Sequence, residues 1–296
     1  TFQNIPEETP NQNFLAAAVW EGDFSSFMTP GNYRIYVDGL GASRPFTIAC
    51  DAFQPAYRAV MKGIYHNRSG MALEASYTNW TRPAPHNPAL TPGFAGKLVY
   101  SSATFCGASA EEPGPEGKEY YDNAVLGTLE ATWGWYQDAG DWDAYISHLD
   151  VPTKLLFVYE HYPANFYDGN LNLPESGNGL PDVLDEARWL LRFYKRVKDE
   201  TERKNWSTGG VPGGRVFGEL WGDDLGNAEP ELGRGSWQDN DRRWVVSGED
   251  PATTYRYAAA AAQFAFLLVR DGLADPEDID WAAAAEATYA WAEARN

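Results

Sequence analysis

The chain has 296 residues, enough for one large domain or two ordinary ones, and its 44% hydrophobic and 15% aromatic content excludes a disordered chain. Lys plus Arg number 23 against 42 for Asp plus Glu, a formal net charge of −19, and such a surface repels phosphate backbones, so nucleic acid is excluded as a partner. No apolar run reaches the about 18 residues that a membrane span needs; AAAAAQFAFLLV at 258–269 reads instead as a buried helix.

The opening TFQNIPEETPNQN is polar and lacks a signal peptide's charged-then-apolar layout, as the mature form of a secreted protein also would. Across 14–48, FLAAAVWEGDF, GNYRIYVDG and SRPFTIAC alternate or run apolar, and PGN (30–32) and DGLGAS (38–43) separate them. These are predicted strands with turns. Three or four strands seldom make a sandwich alone, so residues 1–48 are expected to be the end of a β-sandwich. The period then changes. Phe53, Tyr57, Val60 and Ile64 make a helical stripe over 51–66.

Residues 67–135 are rich in Gly and Pro and are expected to be mostly irregular, as functional loops are. Helices are predicted at about 141–162, 180–198, 251–270 and 276–295, with Pro181, Pro251 and Pro276 near their starts. Asp250 and Asp275 precede two of these prolines and suit N-caps. A second long loop, 199–250, carries Trp206, Trp221, Trp237 and Trp244. Five helices joined by such loops fit a larger helical assembly better than a small closed bundle. Cys50 and Cys106 are open to one disulfide or to two buried thiols. Triplets starting at Asn67, Asn79 and Asn205 fit the glycosylation sequon.

The chemistry concentrates in GWYQDAGDWDAYI, 134–146, where Asp138, Asp141 and Asp143 stand among Trp135, Tyr136, Trp142 and Tyr145. Asp141 alone is explained as a helix cap behind Gly140. A cap does not require Asp138. Two carboxylates on adjacent turns can hold one water between them and take its proton, as the base of an inverting glycosidase does. The spacing does not match a Ca²⁺ loop, and no paired histidines accompany it. GGVPGGR at 209–215 lacks the Lys-Ser/Thr of a phosphate-binding loop, and no nucleophile elbow is present. The four histidines, His66, His86, His148 and His161, are scattered and read as structural or surface residues.

GWYQDAGDWDAYI followed by LNLPESGNGLPDVLDEARWLLRFYKRV resembles the N-terminal half of the catalytic domain of glycoside hydrolase family 9. That family carries a G-G-W-x-D-A-G-D signature and, further on, P-E-S-x-N-G-x-P-D-x-L-D-E-A, which Pro174 through Ala187 reproduces almost letter for letter. PGNYRIYVDGLGASRPFTI resembles the end of the immunoglobulin-like domain that often precedes this module. The resemblance implies a mainly α protein, a partial (α/α)6 barrel at 49–296 preceded by immunoglobulin-like strands at 1–48.

By position, it implies Asp141 as catalytic base and Asp138 as its partner on the water, with Trp135 and Trp142 shaping a sugar site and Trp221 and Trp237 as platforms. The implied reaction is inverting hydrolysis of β-1,4 bonds in cellulose, β-glucan or cello-oligosaccharides by a secreted or periplasmic enzyme. The alternatives are an exo-β-glucosaminidase and a non-catalytic sugar-binding relative. The family's general acid is a glutamate near the C-terminal end of the barrel, expected outside this chain, in a remaining C-terminal part of the same protein. Glu286 and Glu293, in an Ala-rich helix, do not take that role, so these residues alone are expected to be nearly inactive. No cofactor is expected for the chemistry. Zinc is not expected, because its ligands are missing around NRSGMALEASYTNW. Asp223 and Asp224 leave open a structural Ca²⁺ or a plain acidic turn.

Overall fold

A computed structural model describes residues 2–4, 20–103, 125–137, 146–213, 216–218, 235–238 and 243–295. The chain divides into two compact units, Thr1–Ala59 and Val60–Asn296.

The first unit is built from short antiparallel pairs. β1 (Phe2–Asn4) pairs with β2 (Trp20–Gly22), β3 (Gly31–Tyr33) with β6 (Phe46–Ile48), and β4 (Tyr36–Val37) with β5 (Gly41–Ala42). The run GNYRIYVDG, expected as one strand, is broken after Tyr33. There the register slips by one residue: the Ile35 amide donates to the Ser43 hydroxyl at 2.9 Å and the Ser43 amide to the Ile35 carbonyl at 2.8 Å, so β4 continues the same hairpin against β5. Tyr33 sets its ring edge against Phe27, with centroids 5.0 Å apart, and Phe46 leans on Phe24 at 5.7 Å. In this small aromatic cluster Tyr33 and Phe46 are half-buried, while Phe24 and Phe27 remain exposed.

Helix α1 spans Gln54–His66. Its buried residues are Met61 and Tyr65, whereas Phe53 is 85% and Val60 65% exposed. Of the predicted stripe, Phe53 and Val60 face outward, while Tyr57 and Ile64 are half-buried. Met61 and Tyr65, also four apart, point inward instead.

The second unit is mainly helical. Helices α2 (Asp150–His161), α3 (Asp182–Arg203), α4 (Pro251–Asp271) and α5 (Trp281–Glu293) pack as α2 on α3, α3 on α4, α2 on α4 and α4 on α5. The central α3 is buried almost all round in its first four turns, which is why its apolar residues do not keep to one stripe. Asp250 caps α4, its carboxylate accepting from the Thr253 amide at 2.8 Å. Gly272 ends that helix in the left-handed region at φ 65°, and the Leu273 amide reaches back to the Leu268 carbonyl at 2.8 Å. A residue with a Cβ pays a steric penalty in that conformation. Asp275 departs from expectation. The cap of α5 is Asp280, which accepts from the Ala283 amide at 2.9 Å, and Asp275 serves Arg188 and Trp281 instead.

The two expected long loops hold a four-stranded sheet. β7 (Leu98–Ser101) lies between β8 (Val125–Thr128) and β10 (Trp244–Val246), and β9 (Val216–Gly218) flanks β10. β10 runs parallel to β7, pairing Trp244 with Leu98 and Val246 with Tyr100, while the outer pairs are antiparallel. All four residues of β7 and all three of β10 are buried. Strands covered on both faces show no alternation, so LVYS and WVV carry no period-2 signal.

Candidate active site

The chain approaches the aspartate cluster through Thr132–Gln137, and each residue of this stretch is tied down. Gly134 has φ 107°, and a Cβ there would sit 2.8 Å from Nη1 of Arg196. That guanidinium donates to the Trp133 carbonyl at 3.0 Å and lies over the Trp133 ring at 3.8 Å. Only glycine meets both demands. Next, residues 135–137 are clasped against 67–69. The Ser69 amide donates to the Trp135 carbonyl at 2.8 Å, and the Gln137 amide to the Asn67 carbonyl at 2.7 Å.

The side chains of this clasp converge on the family-like segment Pro174–Ala187. Arg68, fully buried, donates through Nε and Nη2 to the two oxygens of Glu186, both at 3.1 Å. Through Nη1 it also reaches Glu175, at 2.9 and 3.0 Å. The Tyr136 hydroxyl donates to the same Glu186 at 2.5 Å. Burial opposes the Arg68 charge, but Glu186 and Glu175 outweigh it and hold the guanidinium above its ordinary range. Burial, reinforced by Glu186, keeps the Tyr136 phenol protonated well above its usual pKa. The guanidinium also lies 4.3 Å over Trp189, which covers its flat face.

The rest of the segment is a turn organised by carboxylates. Asp168 accepts from the amides of Gly177 and Gly179 at 2.5 and 2.8 Å, and Asp182 from those of Gly169 and Leu171 at 2.8 and 2.5 Å. Ser176 donates to Asp182 at 3.0 Å. Asp185, 2% exposed, receives one bond from Asn178 at 2.8 Å, and its second oxygen is buried without a hydrogen-bond partner among the described residues. Burial is the largest influence on this carboxyl and pushes its pKa up to about 7.

Of the predicted site residues, Trp135 and Trp237 are described. Asp138, Asp141 and Trp142 lie outside the described residues, as do Trp221, Cys106 and the Asp223–Asp224 pair expected to be open to Ca²⁺. Trp135 is fully buried, stacked 5.8 Å from His86 and edge-on to Phe193 at 5.8 Å. Its place is in the core, and no face of its ring is open to solvent. Trp237 sits half-buried in a 3-10 turn, Ser236–Gln238. Of the other tryptophans of that loop, Trp206 stacks on Tyr100 at 6.3 Å and Trp244 is buried in β10. Glu293 accepts from Tyr255 at 2.7 Å. Among the described residues, no group of three or more His, Cys, Asp or Glu is placed to hold a metal, and no helix is long and apolar enough to cross a membrane. Sequence reasoning missed Arg68 and the roles of Tyr136, Glu175 and Glu186. Glu175 and Glu186 were visible as letters of the segment, but nothing in the spacing points to an arginine so distant along the chain.

No family model matches the chain. It is 30% identical over 261 residues to a cellulose 1,4-β-cellobiosidase of Acetivibrio thermocellus, covering 83% of this chain and 27% of that protein. A xyloglucan-specific endo-β-1,4-glucanase of Bacteroides ovatus is 32% identical over 180 residues, covering 60% of this chain and 26% of its own length. Among solved structures, a metagenome-derived glycoside hydrolase family 9 endoglucanase superposes with a TM-score of 0.64 at 27% identity, over 93% of this chain and 42% of that one. The chain belongs to glycoside hydrolase family 9. A family 9 protein of Bacteroides ovatus agrees, with a TM-score of 0.64 at 25% identity over 96% of this chain and 45% of the other. The second unit's helices are accordingly part of the family's (α/α)6 barrel. The chain spans about a quarter of the length of these curated family 9 relatives and under half of the solved family 9 chains.

Proposed function

We propose that this family 9 chain contributes the water-activating half of a β-1,4-glycan hydrolase, acting on cellulose, β-glucan or cello-oligosaccharides. The support is the clasp that ties Tyr136 to the Glu186 of the Pro174–Ala187 segment, two residues before Asp138, in a chain whose relatives are named cellobiosidase and endo-β-1,4-glucanase. In this reading Asp141 is the general base and Asp138 holds the same water. The water attacks the anomeric carbon from the face opposite the leaving group and inverts it. A glutamate outside these residues, in a C-terminal part of the same protein, protonates the leaving oxygen. No cofactor takes part in these steps.

Trp142, Trp221 and Trp237 line the sugar cleft, with Trp135 supporting its wall from the core. Residues 1–48 form the end of an immunoglobulin-like sandwich and 49–296 the N-terminal part of the barrel domain, in a secreted or periplasmic protein. Asp141→Ala in the natural protein should lower kcat on cello-oligosaccharides by about a thousandfold or more while leaving substrate affinity nearly intact. Wild-type kcat in that variant would sink the assignment. The product's anomeric configuration, followed by NMR from the first turnovers, should be α; a β-product contradicts single displacement.

A further inference from the structure

We propose that Arg68, Glu186 and Tyr136 are positioning residues that fix the chain entering the Asp138–Asp141 segment, a role that rests on the catalytic reading of those two aspartates. Three observations meet here. The backbone of 135–137 is held on both sides by that of 67–69, through the 2.8 and 2.7 Å bonds of Ser69 and Gln137. Arg68 and Tyr136, paired in register across this clasp, both direct their side chains to the same carboxylate. That carboxylate is fully buried and belongs to the first turns of α3, the central helix of the unit.

A charged set is a poor way to stabilise a core. Removing Arg68 and Glu186 from water costs more than apolar side chains of similar size would, and their mutual attraction does little more than offset it. What charges give in exchange is geometry. A planar guanidinium meeting a carboxylate through two donors fixes distance and angle together, which apolar packing does not. Tyr136 adds a third direction and is the member nearest in sequence to Asp138. Gln137, held by Asn67, is the last residue before it. The clasp thereby transmits the rigidity of α3 to the first residue of the catalytic pair. A displacement on the scale of 1 Å in a reacting group is enough to cost orders of magnitude in rate.

Tyr136→Phe tests this in the natural protein, because it removes one hydroxyl and keeps the ring. The expected result is a fall in kcat on the order of tenfold or more, with KM changed less than about twofold. Amide hydrogen exchange should also quicken in the peptide covering 135–145 and stay unchanged in α4. Glu186→Gln, of the same shape without the charge, should show the same pattern. A lowered Tm with kcat and exchange both at wild-type values would make the set purely structural and overturn the proposal. If instead Asp141→Ala keeps its activity, the catalytic reading has failed and exchange alone decides. Unchanged exchange in Tyr136→Phe then rejects the clasp, and quickened exchange retains it as the anchor of that segment.

Discussion

Asp185→Asn should remove a pH dependence of stability that the buried carboxyl imposes. Burial, the largest cause, raises the Asp185 carboxyl from 3.8 to about 7; the hydrogen bond from Asn178 opposes this, and Glu175 and Asp182 add to it. The difference is about 3 units, and at about 1.36 kcal/mol per unit it corresponds to at most about 4 kcal/mol. At 2% exposure, solvent screening leaves most of this in place. The sign follows from proton counting. Between about pH 4 and pH 7 the folded carboxyl keeps its proton while the unfolded one has released it, so stability falls as pH rises through that window. Asparagine cannot ionise. Any cost of placing its amide there is a constant offset across pH. Urea midpoints of wild type and variant at pH 5, 6, 7 and 8 should therefore diverge, with the variant gaining on the wild type between pH 5 and pH 8 by about 2–3 kcal/mol. Parallel curves would refute the assignment of a buried, unpartnered oxygen to Asp185.

Two further outcomes concern carboxylates that are satisfied. Glu200 accepts from the amides of Glu130 and Ala131 at 2.7 and 2.9 Å and from the Thr132 hydroxyl at 2.9 Å, so Glu200→Ala strands three donors and should cost about 3 kcal/mol, read as a lowered denaturation midpoint. Asp275→Ala should cost about 3–5 kcal/mol, because it leaves the buried Arg188 without the carboxylate that meets it at 2.6 and 2.9 Å. Burial alone would raise the Asp275 carboxyl, but the bonds from Arg188, Trp281 and the Glu277 amide together hold it below 3.8. The part of its stabilisation linked to ionisation is thus present above about pH 4 and lost as pH falls through the lowered pKa, so the gap between wild type and variant should narrow in acid.

The helices were legible because their boundaries are chemical. Asp250-Pro251 opens α4 and Gly272 closes it, and both marks stand in the sequence beside a long apolar run. Asp275-Pro276 carries the same letters, yet that aspartate was drawn away by a buried arginine 87 residues back, a competition that local spacing cannot display. The strands LVYS and WVV were invisible for a related reason: each is short, and its partner comes from another part of the chain. The candidate site divides in the same way. Pro174–Ala187 announced itself as a segment, but the meaning of Glu186 depends on Arg68, 118 residues earlier, inside a triplet that otherwise reads as a glycosylation signal. Side chains that work through distant partners leave no period behind them.

The parallel pairing of β7 with β10 also fixes an order of events during synthesis. Leu98–Ser101 leaves the ribosome long before Trp244–Val246 exists, and α2 and α3 are made in between. Until β10 arrives, β7 has an antiparallel neighbour on one side only and presents four apolar-rich residues along an unpaired edge. Such an edge is a template for another chain's strand. The nascent protein is therefore most exposed to misassembly while the stretch between β8 and β10 is being made, and closure of the sheet by β10 ends that interval.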